Sequence, residues 1–336
     1  MTPIRHALDL DALERGQIHR IRLALTEDAF GDAECLPILV ARGRRDGPVL
    51  GLTAALHGNE INGIAVLQRL FARLDTDTLR GTVVGVLVAN PIGYMALRRR
   101  FVESIDLNHS FPGSANGNAA SVFAHRLLDR VVKPLDMLLD LHTASVGREN
   151  CLYVRADMTD PRTARMAYLQ RPQIIVHNPA HDGTLRGAAA ALGIPAITVE
   201  IGDASRFQDK YIRRTLAGIR AVAMDLHMLP RRPQAPGPDP LLCRRSAWIY
   251  TDGGGLLHVE PGLVEPIERD AVLARRTDIW GDLQSELLAP FSGVIVGRST
   301  QPVARTGDRV AHIGELATVA DTHLVQRADA APELTE

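Results

Sequence analysis

The chain has 336 residues, 46% of them hydrophobic and 23% charged, with a net charge of −1. This is the composition of a globular protein with ample core, and it offers no electrostatic case for nucleic acid or a membrane surface as a partner. Lys133 and Lys210 are the only lysines, so no Gly-x-x-x-x-Gly-Lys-Ser/Thr phosphate loop exists and Schiff-base chemistry is disfavoured.

Cys35, Cys151 and Cys243 are odd in number, far apart and lack a Cys-x-x-Cys pair. They argue against a disulfide framework or a cysteine zinc site and fit a reducing cytoplasm. The N-terminal residues carry scattered charges unlike a signal peptide, and no apolar run is long enough to span a bilayer. The expected location is cytoplasmic.

In chain order, residues 19–25 read as a strand, 26–34 as an acidic loop, 36–41 as a short strand and 42–47 as a turn. Residues 48–56 are apolar and β-compatible. They run into His57-Gly58-Asn59-Glu60, after which Ile61, Ile64, Ala65, Val66 and Leu67 fall near helical spacing. Residues 82–89 resemble a buried parallel strand stopped by Asn90-Pro91. The polar stretch from Arg98 to Gly113 reads as a site wall. A helix is predicted over 119–131, and a strand over 135–141 ends in Asp140-Leu141-His142-Thr143.

Strands follow at 152–155, 173–176 and 195–202, with helices at 160–169, 185–192 and 209–229 and a loop at 177–183. The alternation predicts an α/β domain over 1–230, with a mostly parallel mixed sheet flanked by helices. Five prolines within residues 230–240 predict a semi-rigid linker over 231–240. Residues 241–330 then read as a small all-β domain, with strands near 246–251, 255–259, 286–289, 293–296 and 309–313 and a frayed tail from Gln326.

Histidines and glutamates stand at three predicted strand ends, where α/β sheets bind ligands. His57 and Glu60 lie three apart at a strand-to-helix junction and can point the same way; alternatively, Asn59 caps the helix and Glu60 favours its positive end. A catalytic zinc needs three protein ligands and an open position, and His57, Glu60 and His142 would supply two nitrogens and a carboxylate. Glu200 is then a second carboxylate, free to move protons. Asp140 shares a strand face with His142 and reads as its support. His177 and His181 are four apart, but Asn178-Pro179 breaks a helix between them, so they read as a loop or pocket rim.

The motifs His57-Gly58-Asn59-Glu60, Asn90-Pro91, Arg100-Phe101, Asp106-Leu107-Asn108, Phe111-Pro112-Gly113, Asp140-Leu141-His142-Thr143 and Val199-Glu200-Ile201-Gly202 occur in that order. In combination the chain resembles the succinylglutamate desuccinylase/aspartoacylase group of the zinc carboxypeptidase-like superfamily, over about residues 45–230. The resemblance implies a zinc amidohydrolase with one Zn2+ per chain held by His57, Glu60 and His142. It implies Glu200 as general base and acid, Arg100 as the oxyanion's partner and Asn108 as a substrate contact. The implied substrate is a small N-acyl amino acid.

One departure stands out. The family usually has arginine after Asp-Leu-Asn, where it binds a substrate carboxylate, and here the residue is His109, which cannot offer a bidentate fork. Arg148 and Arg186 are alternative carboxylate partners. The C-terminal segment, with Ala289-Pro290-Phe-Ser-Gly293 and Gly307-Asp308, resembles the barrel-sandwich fold of biotinyl and lipoyl carriers. It has no lysine to carry either cofactor, so it reads as a cap or a homo-oligomer contact. A metallocarboxypeptidase and a catalytically inactive binding module of the same fold are the competing readings.

Overall fold

The computed structural model describes residues 4–180, 183–231 and 237–327. At the N-terminal edge lie β1 (Ile4–Arg5), β2 (Gln17–Glu27) and β3 (Ala33–Arg42), of which β2 and β3 form a long antiparallel hairpin. The acidic loop predicted over 26–34 is much shorter. The Asp28 carboxylate accepts the backbone N–H groups of Phe30 and Asp32 at 2.8 and 2.9 Å, closing a tight turn between the strands.

β4 (Arg45–Ala54) begins inside the predicted turn. From Leu50 to Ala54 it is buried on both faces, as a central strand must be. α1 (Asn62–Phe71) covers one face with Val66, Leu67, Leu70 and Phe71. Asn59 does not cap it. Ile61 occupies the cap position without a side-chain bond, and Asn62 anchors the helix start instead. Asn62 Nδ2 donates to the Ile201 carbonyl at 2.7 Å, and its Oδ1 accepts the Gln208 N–H at 3.0 Å.

β5 (Arg80–Val86) is followed by α2 (Pro91–Met95), which Asn90 caps through the Gly93 N–H at 2.8 Å. α3 (Ala119–Leu127) leads to β6 (Met137–His142), β7 (Arg148–Asn150) and β8 (Leu152–Ala156). The remaining α/β elements are α4 (Pro161–Leu169), β9 (Ile174–His177), α5 (Leu185–Ala191), β10 (Ala196–Ile201) and α6 (Asp209–Asp225). α6 stops short of the predicted 229. His227 turns left-handed at φ 55°, which folds Met228 and Leu229 into the core. No helix among the described residues is long and apolar enough to cross a membrane.

The C-terminal segment contributes β11 (Leu241–Tyr250), β12 (Gly255–Val259), β13 (Pro266–Ile267), β14 (Val272–Thr277), β15 (Leu283–Leu288), β16 (Gly293–Ser299), β17 (Val303–Ala304) and β18 (Arg309–Leu316). Among the described residues the large mixed sheet runs β1-β2-β3-β5-β4-β6-β10-β8-β9-β11-β18-β16-β13, with β7 on β16. β11 pairs with β9 and β7 with β16, so backbone hydrogen bonds join the C-terminal segment to the α/β part at two places. A second sheet, β15-β14-β12-β17, packs over it around Leu257, Leu273, Ile295, Val310 and Ile313. Residues 232–236 of the proline-rich stretch lie outside the described residues, as does His181.

Candidate metal centre and catalytic cavity

β4, β6 and β10 are adjacent and parallel, and Glu200 stands in register with His142 across the β10–β6 ladder. Their carboxyl ends open into one crevice, as the sheet's connectivity requires of a ligand site. After β4 the chain turns through Ala55, at φ 50°, and delivers His57 and Glu60 there. The glycine between them is sterically required. A Cβ at Gly58 would lie 2.1 Å from the Gly93 carbonyl carbon and 2.1 Å from the Tyr94 nitrogen.

His57, Glu60 and His142 are buried and converge. His57 Nδ1 is 2.9 Å from Glu60 Oε1 and 3.1 Å from His142 Nδ1, which is 3.0 Å from Glu60 Oε2. A tetrahedral ion with bonds of about 2.0–2.1 Å separates its ligand atoms by about 3.3 Å, so these atoms fit a zinc-sized cation with little movement. The far ring nitrogens support this. His57 Nε2 meets Asp106 Oδ1 at 3.0 Å, and His142 Nε2 meets Asp140 Oδ2 at 2.7 Å. Carboxylates only accept, so each Nε2 carries a hydrogen and each Nδ1 is the atom left for a metal.

Charge favours a cation as well. Burial opposes the charge of Glu60, but His57 and His142 outweigh it and hold the carboxyl well below the usual range. Burial likewise opposes charge on His142, but Asp140 and Glu60 outweigh it and hold the ring well above its usual value. The cluster thus stabilises positive charge at its centre, whether from a proton or from a metal that displaces it. Thr53 Oγ1 donates to Asp140 Oδ1 at 2.7 Å and fixes that carboxylate. Asp140→Asn is expected to weaken metal affinity about 10–100-fold, measured by competition with a chelator. Unchanged affinity would show that Asp140 does not support His142.

Arg100 does not reach the site. Its Nη1 donates to the Ser104 carbonyl at 2.6 Å on the exposed side of the loop. Its neighbour Arg99 points inward instead, donating to Glu60 Oε1 and Ser145 Oγ at 2.9 Å each and to Asp106 Oδ2 at 2.9 and 3.1 Å. Phe101 is fully buried in the core, whereas Arg100 is exposed. Asp106 therefore joins His57 to Arg99. Burial opposes its charge, but both partners outweigh that and hold it well below the usual carboxylate range.

Glu200 is buried beside this cluster, with Oε1 3.3 Å from Arg155 Nη2 and Oε2 accepting from Asn150 Nδ2 at 3.4 Å. It lines the same cavity of about 350 Å³ as His57, Glu60, Arg99 and His142. Asn108, His109, Arg148 and Arg186 all line it too. Asn108 Oδ1 accepts the Leu185 N–H at 2.9 Å, which leaves its Nδ2 to donate. Arg186 is buried, and its guanidinium is tied to the Asn178 backbone carbonyl and side chain. Burial, with Arg155 nearby, pushes it down to about 10. His177 is not part of this cavity wall; its Nδ1 accepts the Met158 N–H at 3.1 Å.

Arg155, Asn150, Trp248 and Arg309 also line the cavity and were not legible as site residues. Arg155 and Asn150 arrive through the antiparallel pairing of β8 with β10 and of β7 with β16. Trp248 and Arg309 come from β11 and β18, far along the chain. No local pattern signals those contacts.

The family model for the succinylglutamate desuccinylase/aspartoacylase catalytic domain matches residues 46–226. N-alpha-acetyl-L-2,4-diaminobutyric acid deacetylase of Halomonas elongata is 24% identical over 330 residues, covering 94% of this chain and 96% of its own. Succinylglutamate desuccinylase of Pseudomonas paraeruginosa is 31% identical over 230 residues, or 62% of this chain and 67% of its own. Among solved structures, the product-bound ectoine utilization protein EutE (DoeB) of Ruegeria pomeroyi has a TM-score of 0.82 at 21% identity, covering 90% of this chain and 97% of that one. Succinylglutamatedesuccinylase/aspartoacylase of Rhodobacter sphaeroides also scores 0.82, at 20% identity, covering 94% and 99%. At such identities the structures speak for the shared fold, an α/β mixed sheet with a C-terminal β domain. The matched segment contains the whole strand-end cluster together with Arg99 and Glu200, and on that match the chain belongs to the succinylglutamate desuccinylase/aspartoacylase family.

Proposed function

We propose that the protein is a zinc-dependent deacylase that hydrolyses the linear amide of a small N-acyl amino acid. The observation that carries this reading is the convergence of His57 Nδ1, His142 Nδ1 and the Glu60 carboxylate beside Glu200, in one cavity of about 350 Å³. The relatives are named for removing acyl groups from amino acids. A zinc-carboxypeptidase-like ancestry and one zinc per chain belong to the same proposal.

A zinc ion there supplies Lewis-acid polarisation of the scissile carbonyl and makes water acidic enough to attack near neutral pH. Glu200 takes the proton of the attacking water and delivers it to the departing amine nitrogen. Arg155 and Asn150 hold its two oxygens in place. Arg99 stands beside the cluster with its N–H groups fixed by Glu60, Asp106 and Ser145, and meets the negative charge that develops on the carbonyl oxygen. Asn108, His109, Arg148 and Arg186 contact the substrate, the arginines through its carboxylate.

The test is metal analysis of the purified protein together with hydrolysis of a panel of N-acetyl, N-succinyl and N-formyl amino acids and dipeptides. About one zinc per chain with release of a free amino acid is the expected result. Cleavage confined to dipeptides would favour the peptidase, and failure to hold zinc would favour a binding module.

A further inference from the structure

The hairpin β2–β3 ends in Asp28-Ala29-Phe30-Gly31-Asp32, and the hairpin β14–β15 ends in Asp278-Ile279-Trp280-Gly281-Asp282. The two tips are built alike. In each, the carboxylate of the first aspartate accepts the N–H groups of the aromatic residue and of the second aspartate, at 2.8 to 3.0 Å. Each glycine is left-handed, at φ 82° and 96°. A tightly bonded turn thus holds an aromatic ring out in water, with Phe30 92% exposed and Trp280 86% exposed. A ring fixed in this way binds at a low cost in ordering, as aromatic anchors of interfaces do.

The first hairpin also carries a place for such an anchor. One face of β2 and β3 packs on α3 through Leu23, Leu25 and Leu36. On the opposite face, beside α1, Ile18, Leu39, Phe71 and Leu74 line a hollow of about 740 Å³, together with Arg20 and Arg22. Ile18, Arg20, Arg22 and Ala24 alternate along β2, with Arg20 opposite Leu39, Arg22 opposite Pro37 and Ala24 opposite Cys35. Neither arginine has a carboxylate partner among the described residues, and neither Glu27, Asp28 nor Asp32 at the tip has a cationic one. The second hairpin differs, because its Arg275 and Arg276 are already paired with Glu260, Glu286 and Asp252.

An acidic, aromatic tip complements a basic, apolar hollow. The two do not meet within one chain, since Phe30 and Arg20 lie ten residues apart along the hairpin arm, about 33 Å. In two copies related by a twofold axis each tip reaches the other's hollow, because an isologous contact pairs i with j and j with i. Halfway between tip and hollow lies the Ala24–Cys35 pair, whose small side chains let two hairpins approach closely.

We infer that the β2–β3 hairpins of two copies of this chain pack antiparallel across a twofold axis near Cys35, with each Phe30 seated in the other copy's hollow against Arg20 and Arg22. The guanidiniums then meet both the ring face and the acidic flanks of the tip. The hollow shares no lining residue with the catalytic cavity, so the contact holds whether or not the chain is a deacylase. It puts self-association on the N-terminal hairpin and not on the C-terminal domain.

Analytical ultracentrifugation of the full chain is expected to show a dimer at micromolar concentration that weakens as salt rises. F30S is expected to raise its dissociation constant about 100-fold, and W280S to leave it unchanged. Both rings are exposed, so neither replacement threatens folding. R20E/R22E is expected to weaken the dimer as F30S does, and adding E27R/D32R to restore it. A short bis-maleimide is expected to link two chains through Cys35, the one cysteine that is not fully buried, and C35S to abolish the link. A chain that stays monomeric, or a dimer that F30S and R20E/R22E leave intact, overturns the proposal. So does a dimer lost on W280S but not on F30S, or one that the reagent fails to link through Cys35.

Discussion

Glu200→Gln protein is expected to retain its zinc and lose about 10²–10⁴-fold in kcat, the range of a removed general base. The amide is nearly the same size as the carboxylate, so the buried site stays filled. The one amide oxygen still accepts from Asn150 or from Arg155, which bond different oxygens of Glu200. What disappears is the group that accepts a proton from water. Glu200 is not one of the three converging ligand groups, so metal content measured by elemental analysis should not change. His57→Ala is the contrasting variant. It removes one of those three groups and leaves Arg99 as the cation still shared by buried Glu60 and partly buried Asp106, so metal and activity are lost together. Full activity in Glu200→Gln protein would remove Glu200 from the proton path. Loss of zinc from it would make Glu200 a ligand.

Arg99→Met is expected to lower kcat by about 10²–10³-fold with a smaller change in KM, the pattern of a donor that matters most in the transition state. Arg100→Met is expected to stay within about twofold of the parent, since exposed substitutions away from a site cost little. The contrast arises from one residue of offset along the loop. Arg99 is fixed by three side chains of the site, whereas Arg100 donates to the Ser104 carbonyl on the exposed side of the loop. Arg99 also neutralises Glu60 and Asp106, so metal content must be measured beside kcat to separate oxyanion stabilisation from metal retention. Arg99→Lys keeps the charge but not the fork that bridges Asp106, and should recover only part of the loss. A kinetic defect in Arg100→Met with none in Arg99→Met would reverse the assignment.

The sequence by itself determined where the groups of the candidate site sit along the chain. Apolar runs ending at His57, His142 and Glu200 are strands buried on both faces, and a polar group survives only at the end of such a run, where the sheet opens to a crevice. The alternation of strands and helices placed those ends on one side of one sheet. Side-chain direction in the loops was another matter. Arg99 faces the site and Arg100 faces water, and three consecutive arginines carry no mark of that. Asn59 has the composition of a helix cap, yet Asn62 anchors α1, because β10 and the loop before α6 offer it a carbonyl and an N–H. Arg155, Trp248 and Arg309 enter the cavity only through pairings between strands distant in sequence. Local hydrophobic periodicity marks the strands and their ends. Which side chains meet across the cavity depends on strand register and on which neighbours compete for the core, and tertiary packing alone decides both.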